Sequence, residues 1–404
     1  MRRLTAILLA LAMSPCLWAG DLAVRGETLY TMAGEPIRDG VVLIRDGRIR
    51  KVGPASRVHI PDGVTTLEAK VVTPGLVDAH STVGLSGVYG ARAGQVHDQD
   101  QLEKTEPVQP MLRPVDAYNA SDPLIEWVRQ FGVTTLHTGH GPGAVISGQT
   151  MIVKPRGRTP EDALVEEATA IAITLGPSVS ANYETPGTRA KSVAMLRTAL
   201  VEAQAYRTKR DDDDKPAGRD LKHESLLRLL DGELKAMITA HRVTDIAAAL
   251  RLKEEFDLDL ILDGASEAYL LTDELLEAAV PVLLHPPMMR AARETENATI
   301  ESGRLLAEAG VPFAIQTGFE SYVPKTRILL FEAAIAAAHG LGLERALEAV
   351  TIAPARILEV DHRVGSLEKG KDGDLVLFDG DPFEYTSHAC TVVIEGEVVS
   401  EECW

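Results

Sequence analysis

The long middle of the chain alternates short apolar runs with polar stretches that have helical spacing. The runs are GLVDAH (75–80), GVTTLHTGH (132–140), GQTMIVKPRG (148–157), TAIAITLG (169–176), KAMITAHR (235–242), LDLILDG (258–264), VPVLLHPP (280–287) and VPFAIQTG (311–318). Apolar strands separated by amphipathic helices indicate a parallel sheet with helices outside it. Eight such units predict an α/β fold, a (β/α)₈ barrel.

The two ends of the chain follow a different pattern, with short strand-like runs punctuated by Gly and Asp. Asp46-Gly47 separates two apolar runs, which is a strong hairpin signal. We therefore predict that residues 21–73 and 358–404 form a small β-sandwich and that residues 74–357 form the barrel. The mixed-charge stretch 206–224 lacks apolar rhythm and is predicted to be a solvated loop.

The first 20 residues have the layout of a signal peptide. Arg2 and Arg3 precede an apolar run that is too short to span a bilayer, and Ala19 and Gly20 follow. Cleavage there predicts an exported protein, periplasmic or secreted, with no membrane association afterwards. The net charge of −18 argues against a nucleic-acid partner.

Export changes the expectation for the cysteines. After cleavage only Cys390 and Cys403 remain, on either side of an alternating segment that turns at Glu395-Gly396. A hairpin would bring them close enough for a disulfide, although two free thiols at a frayed end are the alternative. Either state would be structural.

Histidines mark the ends of four of the predicted barrel strands, namely His80, His137, His241 and His285. The C-terminal ends of parallel barrel strands meet at one face, where such barrels place their active sites. A single histidine at a strand end is more often a hydrogen-bonded wall residue than a ligand. Four of them at one face nevertheless make this face the candidate site.

Several longer motifs carry a resemblance to a known family. They are TPGLVDAH (73–80), DAYNASDP (116–123), GVTT (132–135), VKPRGRTPEDALV (153–165), AHRVTDI (240–246), SEAY (266–269) and TIAPARILEVDHRVGSLEKGKDGDLVLFDGDP (351–382). With them the chain resembles the amidohydrolase superfamily, in particular its secreted imidazolonepropionase-like branch. The resemblance implies a distorted (β/α)₈ barrel with a small β-sandwich, and one or two divalent metals at the barrel mouth that activate water.

Carried over residue by residue, the resemblance leaves an incomplete metal site. His80 and His241 match metal ligands, and Lys154 is a candidate bridging ligand. At the positions where the resemblance implies further ligands and a proton-shuttling Asp, this chain has Thr82, Gly264 and Gly318.

Substitutes are present nearby. His285 and His137 are candidate replacement ligands, and the carboxylates Asp263 and Glu320 lie beside two of the lost positions. Strand alternation predicts that Asp263 points outward if Gly264 points inward. For substrate binding, the candidates are Glu267, Tyr269 and Arg189, and no catalytic residue is assigned.

Two functions remain open. The first is hydrolysis of non-peptide, cyclic amide-like C–N bonds, with weak or altered activity and one divalent metal (Zn, Mn or Fe) that is weakly bound or absent. The second is a non-catalytic protein that binds a small molecule or pairs with an active homologue. Association of copies into a homo-oligomer is an expectation for barrels of this kind.

Overall fold

The computed structural model describes residues 21–87, 99–212, 214, 217–318 and 328–403. The predicted signal peptide and Glu320 lie outside these residues. Within the described part of the chain, no helix has both the length and the apolar character needed to cross a bilayer.

Both chain ends contribute to one seven-stranded sheet. Its strands are β1 (Leu22–Leu29), β2 (Ile37–Arg45), β3 (Arg48–Pro54), β4 (Thr65–Pro74), β13 (Leu375–Phe378), β14 (Ala389–Ile394) and β15 (Glu397–Ser400), in the order β15-β14-β13-β4-β1-β2-β3. The predicted hairpin turns are present, and the turn at Gly47 contacts the turn at Gly396, where Gly373 N donates to Gly47 O at 2.8 Å. The sheet therefore curls over a shared apolar core, and Cys390 and Cys403 form a disulfide at its edge.

The middle of the chain forms an eight-stranded, nearly closed sheet. Its strands are β5 (Leu76–Ser81), β6 (Val133–Gly139), β7 (Ile146–Val153), β8 (Leu164–Thr174), β9 (Lys235–Thr239), β10 (Leu260–Gly264), β11 (Val282–Leu284) and β12 (Phe313–Ile315), hydrogen-bonded in that order. A parallel bridge between Ser81 and Gly318 joins the two edges, and Gly318 N donates to His80 O at 3.0 Å. The predicted distorted barrel with a separate sheet from both chain ends is confirmed.

One strand departs from the parallel pattern. β7 runs antiparallel to both β6 and β8, and Val153 at its end pairs with Leu136 in β6. The chain therefore leaves β7 at the face opposite the barrel mouth. This reversal decides the position of Lys154, which follows Val153 directly.

Helices cover the outside of the barrel. They are α1 (Pro123–Gln130), α2 (Pro160–Ala163), α3 (Arg189–Arg210), α4 (Leu221–Leu230), α5 (Val243–Phe256), α6 (Thr272–Glu277), α7 (Ser302–Ala309), α8 (Leu329–Ala336), α9 (Leu343–Glu348) and α10 (Ile352–Ile357). The loop predicted over 206–224 is shorter than expected, since α3 continues to Arg210 and α4 begins at Leu221. Cations in the last turn of α3 favour this extension because they oppose the negative end of the helix dipole.

The barrel interior is filled by a layer of small and medium side chains from different strands. They are Ala79, Ala170, Ala172, Met237, Ile261, Leu283 and Ala314. Leu262, one residue after Ile261, packs in the separate core between sheet and helices. The inward side chains of β10 are therefore the odd-numbered ones, Ile261 and Asp263.

Lys154 joins the barrel to the curled sheet through a buried ion-pair cluster. Its Nζ atom lies 2.7 Å from both Asp372 Oδ2 and Asp374 Oδ2, and the lysine is only 1% exposed. Arg363 Nη2 donates to Asp372 at 3.0 Å and to Glu395 at 3.2 Å. Charges buried in this way need every partner in place.

Replacing Lys154 by Ala should lower the free energy of unfolding by about 3–5 kcal/mol, because Asp372 and Asp374 would keep their burial and lose their common partner. Arg197→Ala is the matched control, since that arginine pairs with Glu255 at the surface and should matter by less than about 1 kcal/mol. Urea denaturation of both variants measures the difference. Equal losses would contradict the interdomain role of Lys154.

Candidate active site at the barrel mouth

A polar layer lies directly above the apolar layer inside the barrel. Each residue of this polar layer comes two positions after an apolar interior residue of the same strand. The pairs are Met237 and Thr239, Ile261 and Asp263, Leu283 and His285, and Ala314 and Gln316. Since side chains two apart on a strand point to the same face, these four share the barrel interior near the strand ends. All are buried.

Asp263 and His80 form a buried pair across the barrel. His80 Nδ1 lies 2.9 Å from Asp263 Oδ1, and the two residues are 2% and 3% exposed. Gln316 Nε2 donates to the same carboxylate oxygen at 2.8 Å, and Thr239 Oγ1 donates to the other at 2.6 Å. The prediction that Asp263 points outward is wrong. Asp263 lies two positions after the interior residue Ile261 and therefore points inward as Ile261 does.

The surroundings of this pair favour charge separation. Burial opposes ionisation of Asp263, but the adjacent His80 and the hydrogen bonds from His80, Thr239 and Gln316 outweigh it and hold the pKa of Asp263 at about 2. Burial also disfavours a charged His80, yet the Asp263 carboxylate raises its pKa above the ordinary value. An ionised Asp263 only accepts hydrogen bonds, so His80 carries a proton on Nδ1. Its Nε2 is buried and has no hydrogen-bond partner among the described residues.

His241 and Gly264 fit together at the end of the neighbouring strands. His241 Nδ1 lies 2.9 Å from Ser266 Oγ. Gly264 has φ +74°, and a β-carbon added to it would lie 2.6 Å from His241 Cε1. The glycine at a position where the resemblance places a ligand therefore has a local cause, because the imidazole of His241 fills the space that a side chain would need.

The remaining strand-end histidines differ in availability. His285 donates from Nδ1 to Pro286 O at 2.9 Å, which leaves Nε2 buried with no partner in the described ranges. His137 is bonded on both sides: Nδ1 to Ala79 O at 2.7 Å and Nε2 to a Thr150 hydroxyl at 2.8 Å. Burial lowers the pKa of His285 to about 4 and that of His137 to about 3. His137 is thus hydrogen-bonded as a wall residue of the barrel, and its part as a substitute ligand stays a prediction.

Lys154 and Glu267 are both bonded to other parts of the protein. Lys154 lies at the face opposite the mouth in the ion-pair cluster described above, so it does not reach His80 or His241 as a bridging ligand. Glu267 caps helix α5: its carboxylate accepts from Val243 N and from Asn297 Nδ2, each at 2.6 Å. Each Glu267 oxygen thus has one protein partner, and the role of Glu267 in substrate binding stays a prediction.

The other two substrate-binding candidates also have protein partners. Arg189 Nε donates to both carboxylate oxygens of Asp245, at 2.9 and 3.2 Å. Tyr269 donates its hydroxyl to Asn297 O at 3.2 Å on the surface. The first contact joins helix α3 to helix α5, and the part of Arg189 and Tyr269 in substrate binding stays a prediction.

Sequence reasoning missed Gln316 and Thr239 as members of the site. Their signal was the alternation within their own strands, counted from the apolar interior residues Ala314 and Met237. Asp78, which precedes His80, accepts from Thr317 N at 3.0 Å and from the Thr317 hydroxyl. Burial raises the pKa of Asp78 to about 6 against these hydrogen bonds.

Comparison with known proteins relates this fold to a known class of proteins. The family model described as the amidohydrolase family matches residues 262–399. An amidohydrolase structure from Thermotoga maritima MSB8 is 29% identical, with a TM-score of 0.87, over 94% of this chain and 100% of that one. These matches relate the chain to the amidohydrolase superfamily.

Curated relatives narrow the relationship to imidazolonepropionase-like homologues. The imidazolonepropionase of Rhizorhabdus wittichii is 26% identical over 89% of this chain and 93% of its own length. Amidohydrolase tasK of Hapsidospora irregularis is 26% identical over 95% of this chain. The match covers only 43% of the length of that relative.

Members of this family typically bind a divalent metal. Among the described residues, no group of three or more His, Cys, Asp or Glu converges as metal ligands. The Asp263 carboxylate is already engaged by His80, Gln316 and Thr239. The described residues therefore do not fit a three-ligand centre of the kind that zinc requires.

Replacing Gly264 by Ala should destabilise the protein more than a left-handed backbone alone explains. Gly310→Ala is the control, because Gly310 has φ +83° and no atom within 4 Å of an added β-carbon. Both variants carry a backbone cost of about 1–2 kcal/mol, and Gly264→Ala adds about 1–3 kcal/mol of overpacking against His241.

Thermal and urea unfolding measure both losses. In the double variant His241→Ala/Gly264→Ala the extra loss should largely disappear, because the two sites are in contact. Additive losses in the double variant would contradict the packing of His241 on Gly264.

Proposed function

We propose that this chain is a hydrolase of non-peptide C–N bonds whose reaction takes place at the barrel mouth. The relatives named imidazolonepropionase support a cyclic, amide-like substrate. The observation that carries the proposal is the His80–Asp263 pair, in which Nδ1 is held and Nε2 is left without a partner among the described residues.

A histidine oriented in this way is suited to proton exchange. Asp263 fixes the tautomer and the ring plane of His80, and Thr239 and Gln316 fix Asp263. Nε2 is then the atom that exchanges a proton with the attacking water or with the departing nitrogen. General acid–base catalysis of this kind contributes about 10²–10⁴-fold to a rate.

We further propose that the activity is altered relative to the family. Positions 82, 264 and 318 carry Thr, Gly and Gly, and the resemblance expects donor side chains there. The packing of His241 on Gly264 and the role of Gly318 in closing the barrel support a rearranged site.

His80→Asn should lower kcat/KM by about 10²–10⁴-fold, because it removes the nitrogen that exchanges the proton. Asp263→Asn should lower it by at least about tenfold through the loss of the acceptor that orients His80. The substrates are a panel of lactams, hydantoins and N-acyl amino acids, with acid release followed in a pH-stat.

The chain offers a matched control for Asp263→Asn. His388 Nδ1 lies 3.0 Å from Asp379 Oδ2 in a pair at the protein surface, so Asp379→Asn should leave kcat/KM unchanged. An unaltered rate in His80→Asn would end the proposal. Loss of activity on chelation and its return with Zn²⁺ would show that proton exchange at His80 is not the main contribution.

A second candidate is a ligand-binding or partner protein without turnover. It rests on the donor count, since the described residues hold no three-ligand group and His137 is fully bonded. If no panel member is hydrolysed but one raises the melting temperature, this candidate replaces the first. Association of copies, or pairing with an active homologue, stays a prediction that light scattering of the purified protein checks.

We also propose that the protein is exported. The basic and apolar layout of residues 1–20 supports this, as does the Cys390–Cys403 disulfide, which suits an oxidising compartment. Expressed with its own N-terminus, the periplasmic protein should begin near residue 20 and contain no free thiol. A retained Met1 together with reactive thiols would refute export.

A further inference from the structure

Four buried polar side chains beside the barrel mouth have atoms without a hydrogen-bond partner among the described residues. They are the Thr82 and Ser86 hydroxyls, the Gln101 Oε1 atom and a ring nitrogen of His140, whose ring otherwise interacts with the Gln101 backbone. Each of these residues is at most 7% exposed. We refer to Thr82, Ser86, Gln101 and His140 as the Thr82 cluster.

The backbone brings these residues into one neighbourhood. Ser86 N donates to Thr82 O at 2.9 Å, and Gly141 N, next to His140, donates to Gln101 O at 2.9 Å. A β-carbon added to Gly141 would lie 2.9 Å from Thr82 Cγ2 and 3.8 Å from Gln101 Cγ. The segments that carry the four side chains are therefore in direct contact.

The imidazole of His140 is held in place by packing. Gly148 has φ +142°, and a β-carbon added to it would lie 2.3 Å from His140 Cδ2. The ring thus rests directly on the backbone of the neighbouring strand β7. The Gln101 backbone interacts with this ring and raises the pKa of His140 against the effect of burial, so at least one ring nitrogen is left unpaired in the described part of the chain. A buried nitrogen without a partner is costly unless a bound molecule supplies one.

The chemistry of the cluster selects an uncharged ligand. Two hydroxyls and an amide oxygen carry no charge, and burial lowers the pKa of His140 to about 4, which leaves the imidazole neutral. A neutral imidazole offers one donor and one acceptor, and hydroxyls offer both. A carboxylate or ammonium group placed there would find no opposite charge within the cluster, and burying an unpaired charge is unfavourable.

We propose that the Thr82 cluster binds an uncharged amide group, N–H and C=O together, of the molecule that occupies the barrel mouth. This inference rests on the proposed function, because it names the group of the substrate that the protein recognises. The residue that recognises it, Thr82, lies two positions after His80. The inference also gives Thr82 a role in this chain: a hydroxyl that hydrogen-bonds the ligand, at a position where the resemblance expects a metal ligand.

The test uses 2-pyrrolidinone as the probe and acetate as its charged counterpart. Binding to the full-length mature protein is measured in solution by ligand-observed NMR titration, and crystals are soaked with the same probe. 2-Pyrrolidinone should bind with its amide within hydrogen-bond distance of Thr82 or His140, and acetate should not bind there.

Thr82→Val removes the hydroxyl at constant shape and should weaken binding of 2-pyrrolidinone by about three- to tenfold. Thr134→Val is the matched control, because the Thr134 hydroxyl is also buried without a partner among the described residues but lies at the start of β6, beside Gly75. Thr134→Val should bind the probe as the wild type does.

Equal affinity of the wild type and Thr82→Val would overturn the inference, as would density for water alone at the cluster or a probe bound only beside His80. The readout is binding, so it is separate from turnover. A probe held by the cluster in a protein that hydrolyses nothing would sustain this inference and end the proposed hydrolase activity. If Thr82→Val leaves hydrolysis unaffected and no probe binds at the cluster, this inference is overturned and the proposed hydrolase activity is sustained.

Discussion

The hydrogen bond between His80 and Asp263 is the contact on which the arrangement of the barrel mouth depends. It joins β5 to β10 across the interior, and Thr239 and Gln316 extend it to β9 and β12. Because all of these groups are buried, each is stabilised only while the others remain in place. The same network leaves Nε2 of His80 without a partner among the described residues. One set of contacts therefore both holds the strands together and keeps this nitrogen free to react.

Much of the fold followed from the sequence, because periodicity reports which side chains are buried. All eight apolar runs of the middle became barrel strands, and the hairpins at Gly47 and Gly396 formed where Asp-Gly and Glu-Gly predicted them. The direction of β7 did not follow from its composition, since an antiparallel strand with both faces buried looks the same as a parallel one. That single reversal moved Lys154 from the predicted site to the opposite face.

The site was less predictable than the fold for a related reason. Alternation gives the relative direction of neighbours, but the absolute direction needs one residue whose side is known. Counting from Gly264 turned Asp263 outward, whereas counting from Ile261 turns it inward as the structure has it. The partners of Glu267 and Arg189 are Asn297 and Asp245, which are distant in the sequence, and the local pattern of residues does not reveal such pairs.

The pairing of β4 with β13 bears on how the protein is made. Residues 71–74 hydrogen-bond to residues 375–378, so the central pair of the curled sheet joins segments about three hundred positions apart. Contacts between residues so far apart in the sequence form slowly, and β13 is synthesised long after β4. The apolar face of β1 and β4 therefore stays uncovered while the whole barrel is synthesised. A nascent chain with an exposed apolar face is the kind of intermediate that chaperones bind.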